Sequence, residues 1–358
     1  MIENHLVVEG VAHQYNFRPE NIVQPHIGPM IGEVLYAGHC GAGGPEYALD
    51  RKTYMDGAGA ETIGRAILAE SWSDVIVYHE TPIYSQFVDG GSDLAAGLRM
   101  RELWPERTLI YGAVAPLRPG AVDRVDELVD VHKVQALKLY PIDTVDGRTL
   151  GLDLSDPEVC FPVLQRARER GLKVIGIHKA LPLGPGPVSA LGLGDVEGAA
   201  LAFPDLTFEI VHGGMAFVEE TAVMLQSLPN VVVNLEGTSF MVNTAPRRFA
   251  EAIGAFLAAF AEDRIIWATG CDAAHPQPLL KAFWNFEMPR DLVEGHGYPE
   301  LTKERKAKIL GSNFLRMHGI DEQDLRDRVS GDEFDTAELA PAWGGNTVAR
   351  VSQLGGVS

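Results

Sequence analysis

Eight short runs of mostly β-branched and aliphatic residues recur along the chain. They are LVVEGVAH (6–13), DVIVYHE (74–80), TLIYGAVA (108–115), VQALKLY (134–140), KVIGIHK (173–179), LTFEIVHGG (206–214), NVVVNLEG (230–237) and IIWATGCD (265–272). Several are apolar almost throughout, the pattern of strands buried on both faces of a parallel sheet. Helical stretches lie between them at 59–72, 121–133, 155–171, 214–229, 245–264 and 302–319. Ser155 and Thr302 are the expected N-caps, and Gly171 marks a stop. Strand–helix alternation demands right-handed crossovers. Eight strands within about 260 residues therefore predict a (β/α)8 TIM barrel. The first run continues into QYNF without a GxGxxG turn, which sets a doubly wound dinucleotide fold aside.

Two segments exceed a minimal barrel. Residues 14–58, rich in Gly and Pro, follow the first strand and are expected as a loop insertion over the active-site mouth. Residues 320–358 form a tail, expected as an arm on a partner subunit in a homodimer, or as disorder. The domain reading is one barrel over 1–319 plus this tail.

Composition narrows function. Thirty Lys+Arg against 49 Asp+Glu leave a net charge of −19, which repels phosphate backbones and anionic lipid and excludes nucleic acid and membrane as expected partners. Cys40, Cys160 and Cys271 are sparse and odd in number, with no CxxC pair, so neither a disulfide framework nor a zinc knuckle is expected. No apolar run approaches a membrane span, and the N-terminus lacks a signal-peptide pattern. A cytoplasmic enzyme with a small-molecule substrate is the expectation.

Catalysis in such barrels sits at the C-terminal ends of the strands. There the sequence places His13, His79 with Glu80, Lys138, His178 with Lys179, His212, Glu236, and Asp272 with His275 just beyond. Imidazole and carboxylate suit a borderline divalent metal that leaves a position for water. Lys138 reads either as a carbamylated bridging ligand or as a lysine that bonds substrate or a neighbouring carboxylate. His79, Lys179, Glu236 and His275 join it as substrate-side candidates.

GIHKA (176–180), EIVHGG (209–214), WATGCDAAHP (267–276) and KILGSNFLRMHGI (308–320) together resemble the amidohydrolase superfamily. The closer likeness is to the branch holding aminocarboxymuconate-semialdehyde decarboxylase, resorcylate-type decarboxylases and pyrone-dicarboxylate lactonase. It spans most of residues 6–319. The resemblance implies one divalent metal ion, expected as zinc, with His13 and His178 as ligands. Asp272 is implied as a ligand or as the base on metal-bound water, and His212 as the acid/base. One departure stands out: the first-strand His-x-His is Val11-Ala12-His13 here. Four arrangements follow. His13, His178 and Asp272 hold the metal with water; Glu9 reaches up; a loop residue such as His39 or Glu46 substitutes; or the site works without metal, as the branch's lactonases do.

Three functions compete. The first is metal-dependent hydrolysis of an amide, lactone or similar carbonyl bond. The second is nonoxidative decarboxylation of an aromatic or muconate-like acid, which needs a cation for the carboxylate, with Lys179, Arg18 and Lys138 as candidates. The third is a catalytically silent binding barrel. Because Arg18 is off the strand ends, hydrolysis leads.

Overall fold

A computed structural model describes residues 1–336 and 338–350. Its eight parallel strands are β1 (Val8–Ala12), β2 (Val75–His79), β3 (Thr108–Ala113), β4 (Ala136–Leu139), β5 (Val174–His178), β6 (Thr207–Val211), β7 (Val231–Asn234) and β8 (Ile265–Ile266). They are hydrogen-bonded in sequence order. All eight expected runs become strands, because each is buried on both faces between the barrel interior and the surrounding helices. The barrel closes between β8 and β1: Gly10 N donates to Trp267 O at 3.2 Å and His13 N to Cys271 O at 2.5 Å, with Ala12 bridged in parallel to Cys271.

The six expected helices are present with shifted ends. Thr302 caps its helix by accepting from Arg305 N. Ser155 does not cap: the helix begins at Phe161, because Asp153 takes the Ser155 hydroxyl and Asp156 takes the amides of Glu158 and Val159 in a preceding turn. Helices Leu94–Leu103 and Gly194–Ala202, for which no expectation was formed, complete the crossovers after β2 and β5.

The segment 14–58 differs from the loop expected of its composition. It contains a 16-residue helix, Gly28–Gly43, and a short one, Arg51–Asp56, capped by Asp50. Pro29 stands in the first turn, where its missing N–H costs nothing. Gly32 permits a close approach: a Cβ there would lie 3.0 Å from the Phe17 ring. The segment rests on the β8 end, where His39 Nδ1 donates to Asp272 O at 2.8 Å.

The tail is likewise committed to its own barrel. Glu322–Val329 is helical. Arg107, almost fully buried, pairs with Asp332 through two nitrogens at 2.6 and 2.8 Å. Trp343 is 3% exposed; it packs on His39 and His275 and donates Nε1–H to Tyr47 O at 2.8 Å. The described part of the tail thus packs on its own barrel; 351–358 lie outside the described residues. Among the described residues no helix is long and apolar enough to cross a membrane.

Trp343→Ala removes a buried indole and its hydrogen bond. It is expected to lower unfolding free energy by about 3 kcal/mol, measured by urea denaturation. An unchanged midpoint would show that the tail carries no share of the core.

Candidate active site

Parallel strands deliver alternate side chains to the barrel axis. Lys138 on β4, His178 at the end of β5 and Glu209 on β6 follow that period. His13, His212, Glu236 and Asp272 come from the residues just after β1, β6, β7 and β8. All seven are buried. His212 adopts φ 69°, turning its ring back toward β5, and Gly213 and Gly214 then take the chain away.

His178, His212 and Glu236 form a chain whose protons follow from their partners. His178 Nε2 lies 2.6 Å from Leu181 O and must donate. Burial keeps the His178 ring neutral, so its Nδ1 is an acceptor and receives His212 Nε2–H at 2.8 Å. His212 Nδ1 faces two more acceptors, Glu236 O at 3.2 Å and Glu236 Oε2 at 2.9 Å. The second is a charge contact without hydrogen-bond alignment, and Oε2 has no bonded partner. Both nitrogens of His212 thus carry protons, and the ring is a cation against Glu236. Burial pushes the Glu236 carboxyl up, but His212 outweighs it and the net value is about 2. Burial, with His212 and Lys138 nearby, pushes His178 well below the usual histidine range.

His13 is a neutral imidazole, lowered by burial to about 4. Its Nδ1 lies 3.0 Å from His79 O and 3.3 Å from Thr81 Oγ1. Tyr15 packs on the His13 ring and Tyr140 on that of His178, with centroids 5.2 and 4.5 Å apart. Lys138 lies among His13, His79, His178, Glu209 and Glu236, all of which share its field. Burial lowers its ammonium to about 8 against the pull of Glu236 and Glu209. Both oxygens of Asp272 are buried without a hydrogen-bond partner. Burial raises this carboxyl to about 8; the main-chain N–H groups of Asp272 and Tyr15 pull weakly the other way, short of bonding geometry. Asp272 is therefore an uncharged acid at neutral pH.

Other expected site residues are placed elsewhere. Lys179, one position after the inward His178, points the opposite way and bonds Asp195 and Ala190 O at 2.8 Å. His275 caps the helix Pro276–Asn285 and pairs with Glu70 at 3.2 Å. His79 stacks on Tyr111 with centroids 4.2 Å apart and is fully buried. His39 uses both nitrogens, one on Asp272 O and one accepting Leu49 N–H at 2.8 Å, so it has no free lone pair. Glu9 is held by Thr269 N and Oγ1 at 2.5 and 2.9 Å and does not reach up. Glu46, His26 and Arg18 are exposed. Glu209, bonded to Asn234 at 2.6 Å, was missed, although it lies two residues before Val211 and so shares its inward face. Cleft size is no guide here. Volumes of about 500 Å³ around Met1, Asp74 and Arg326, and about 530 Å³ around Leu193 and Met224, both lie away from these strand ends.

A family model described as amidohydrolase matches residues 92–320. The chain belongs to the amidohydrolase family. No curated protein matches the sequence of this amidohydrolase. Solved structures are similar to it, among them the following three. An uncharacterised TIM-barrel protein from Bordetella bronchiseptica is 15% identical with a TM-score of 0.59, over 87% of this chain and 99% of the other. A 5-carboxyvanillate decarboxylase from Novosphingobium aromaticivorans, complexed with manganese and 4-hydroxy-3-methoxy-5-nitrobenzoic acid, is 14% identical with a TM-score of 0.55, over 89% and 97%. A dihydroxybenzoic acid decarboxylase from Polaromonas, with bound manganese and 2-nitroresorcinol, is 11% identical with a TM-score of 0.53, over 88% and 96%. At these identities the likeness establishes the fold.

The side chains of this amidohydrolase do not fit the expected metal ion. Among the described residues no three His, Cys, Asp or Glu side chains are grouped to hold one. His178 has both nitrogens engaged, one with Leu181 O and one with His212. Of the two expected histidine ligands, His13 alone keeps an imidazole lone pair free, at Nε2. Where the family's first ligand belongs, Val11 forms an apolar cluster with Val211 and Ala268.

Because Asp272 is raised, its neutral form stabilises the fold at low pH. That contribution is full below the unfolded carboxyl's range and is lost as pH rises through about 8. Asp272→Asn, which cannot ionise, is expected to melt progressively higher relative to the parent between pH 5 and pH 9 in calorimetry. A constant difference across that range would mean that Asp272 is charged in the fold.

Proposed function

We propose that this amidohydrolase is a nonoxidative decarboxylase, a carbon–carbon lyase acting on a small aromatic or muconate-like carboxylic acid. The observation that carries this reading is the state of Asp272. A hydrolase needs an ionised carboxylate to take a proton from water, whereas Asp272 is buried, unpaired and uncharged, and so is a donor. Carbon–carboxylate cleavage needs that donor, because the carbon that loses CO2 must gain a proton. It also needs positive charge to steady the electron pair left behind. Lys138 supplies this on the axis, which answers the objection that Arg18 lies off the strand ends. The His212–Glu236 pair fixes the His178 ring beside it. The decarboxylases among the similar structures agree with this reading.

Each step balances. The carboxylate leaves as CO2, its bonding pair remains on carbon, and the Asp272 proton quenches it. Asp272 then recovers a proton from solvent. The unpaired polar groups at the mouth weigh against a silent barrel, since such groups destabilise a fold and persist where chemistry uses them.

The test is CO2 release from a panel of 2-hydroxybenzoic and muconic acids in deuterated water. The expected products carry deuterium at the vacated carbon. Turnover should fall as pH rises through about 8, where Asp272 loses the proton it donates. Asp272→Asn should cut turnover by on the order of 10²–10⁴. Ester or lactone hydrolysis without CO2 release would return the enzyme to the hydrolase class.

A further inference from the structure

Loss of CO2 leaves an electron pair that needs a sink, and the assembled side chains do not form a metal site that could be one. Three lysines are almost fully buried. Two are structural: Lys179 is saturated by Asp195 and Ala190 O, and Lys306 donates to Trp284 O and Phe286 O at 2.8 and 2.6 Å. Lys138 differs. Among the described residues its Nζ makes no hydrogen bond, yet it lies on the barrel axis between His13, His178 and Glu236.

Resting on the decarboxylase reading, we propose that Lys138 is a covalent catalyst whose amine condenses with the carbonyl of a 3-oxo acid, a ring-held one included. A desolvated lysine is activated for this chemistry, and Lys138 is 1% exposed with its Nζ held by no hydrogen bond among the described residues. The amine adds to the carbonyl carbon and water leaves, giving an iminium. The carbon–carboxylate bond breaks, CO2 departs, and its electron pair moves onto the iminium nitrogen to form an enamine. Asp272 protonates the carbon. Water then hydrolyses the iminium, releasing the ketone and restoring the amine.

The full chain is incubated with acetoacetate or benzoylacetate and sodium cyanoborohydride, then analysed by intact mass and peptide mapping. The expected adduct sits on Lys138 and adds the mass of the decarboxylated ketone less one oxygen, as the reduced amine. Lys138→Arg keeps the charge but cannot form an imine. With an unchanged circular dichroism spectrum, it should give no adduct and release CO2 only at the uncatalysed rate. Lys138→Met should match it. Absence of a Lys138 adduct with both acids, or CO2 release retained in Lys138→Arg, overturns the proposal. If hydroxybenzoates still lose CO2 in that case, the decarboxylase reading stands alone. An adduct of the intact acid with no CO2 supports the covalent lysine and overturns the decarboxylase reading.

Discussion

The seam between β1 and β8 is the contact on which the site depends. β8 contributes only two ladder residues. Closure is therefore completed by Gly10 on Trp267 O, His13 N on Cys271 O, and the Glu9 side chain on Thr269. These bonds set Asp272 beside the strand that carries His13. The Glu9 carboxyl is itself raised by burial to about 8, so the seam is tied by an uncharged acid, which costs far less to bury than a carboxylate. A conventional apolar pair at Glu9 and Thr269 would pack as well, but it would leave Thr269 N without an acceptor inside the barrel.

From this closure follows a dry axis, and the dryness sets the chemistry. Away from water an isolated charge is penalised, so Asp272 and His13 are neutral. The one charge pair that persists is the one whose hydrogen-bond pattern demands it, His212 with Glu236. Lys138 sits between these regimes: burial discourages its charge while Glu236 and Glu209 favour it. A donor acid, a fixed imidazole pair and a marginal ammonium thus arise from one cause acting on three different sets of neighbours.

Much of this was legible in the residues. The eight strands showed because double-sided burial leaves continuous apolar runs, and the polar residues that end those runs marked the mouth. The alternation of side chains also carried information that went unused. Lys179 follows the inward His178 and must face outward, Glu209 shares the inward face with Val211, and His275 directly before Pro276 is a cap position. Other features had no local signal. Gly28–Gly43 sets Gly32 against Phe17 and Gly43 against Pro278, close approaches made by other parts of the chain. Trp343 stands in a Gly-rich stretch that reads as tail, and its pocket is assembled from residues hundreds of positions away. The metal expectation rested on residue types at strand ends. Whether a histidine has a lone pair to give depends on its partners, and those became visible only with the coordinates.

The mouth is covered by the chain's own additions, and they converge on Asp272. His39, from the insertion, holds the Asp272 carbonyl, and its other nitrogen accepts Leu49 N–H. Trp343, from the tail, packs on that His39 ring and on His275. Glu70 gathers the tail by accepting the amides of Trp343 and Gly344, at 2.6 and 3.0 Å, and binds His275 as well. Insertion, tail and the helix entered through Pro276 thereby lock together above the donor acid. A minimal barrel would leave Asp272 at the rim, where water would solvate and ionise it. Here some seventy residues outside the barrel keep it dry, which ties the protonation state of one carboxyl to segments that contribute no strand.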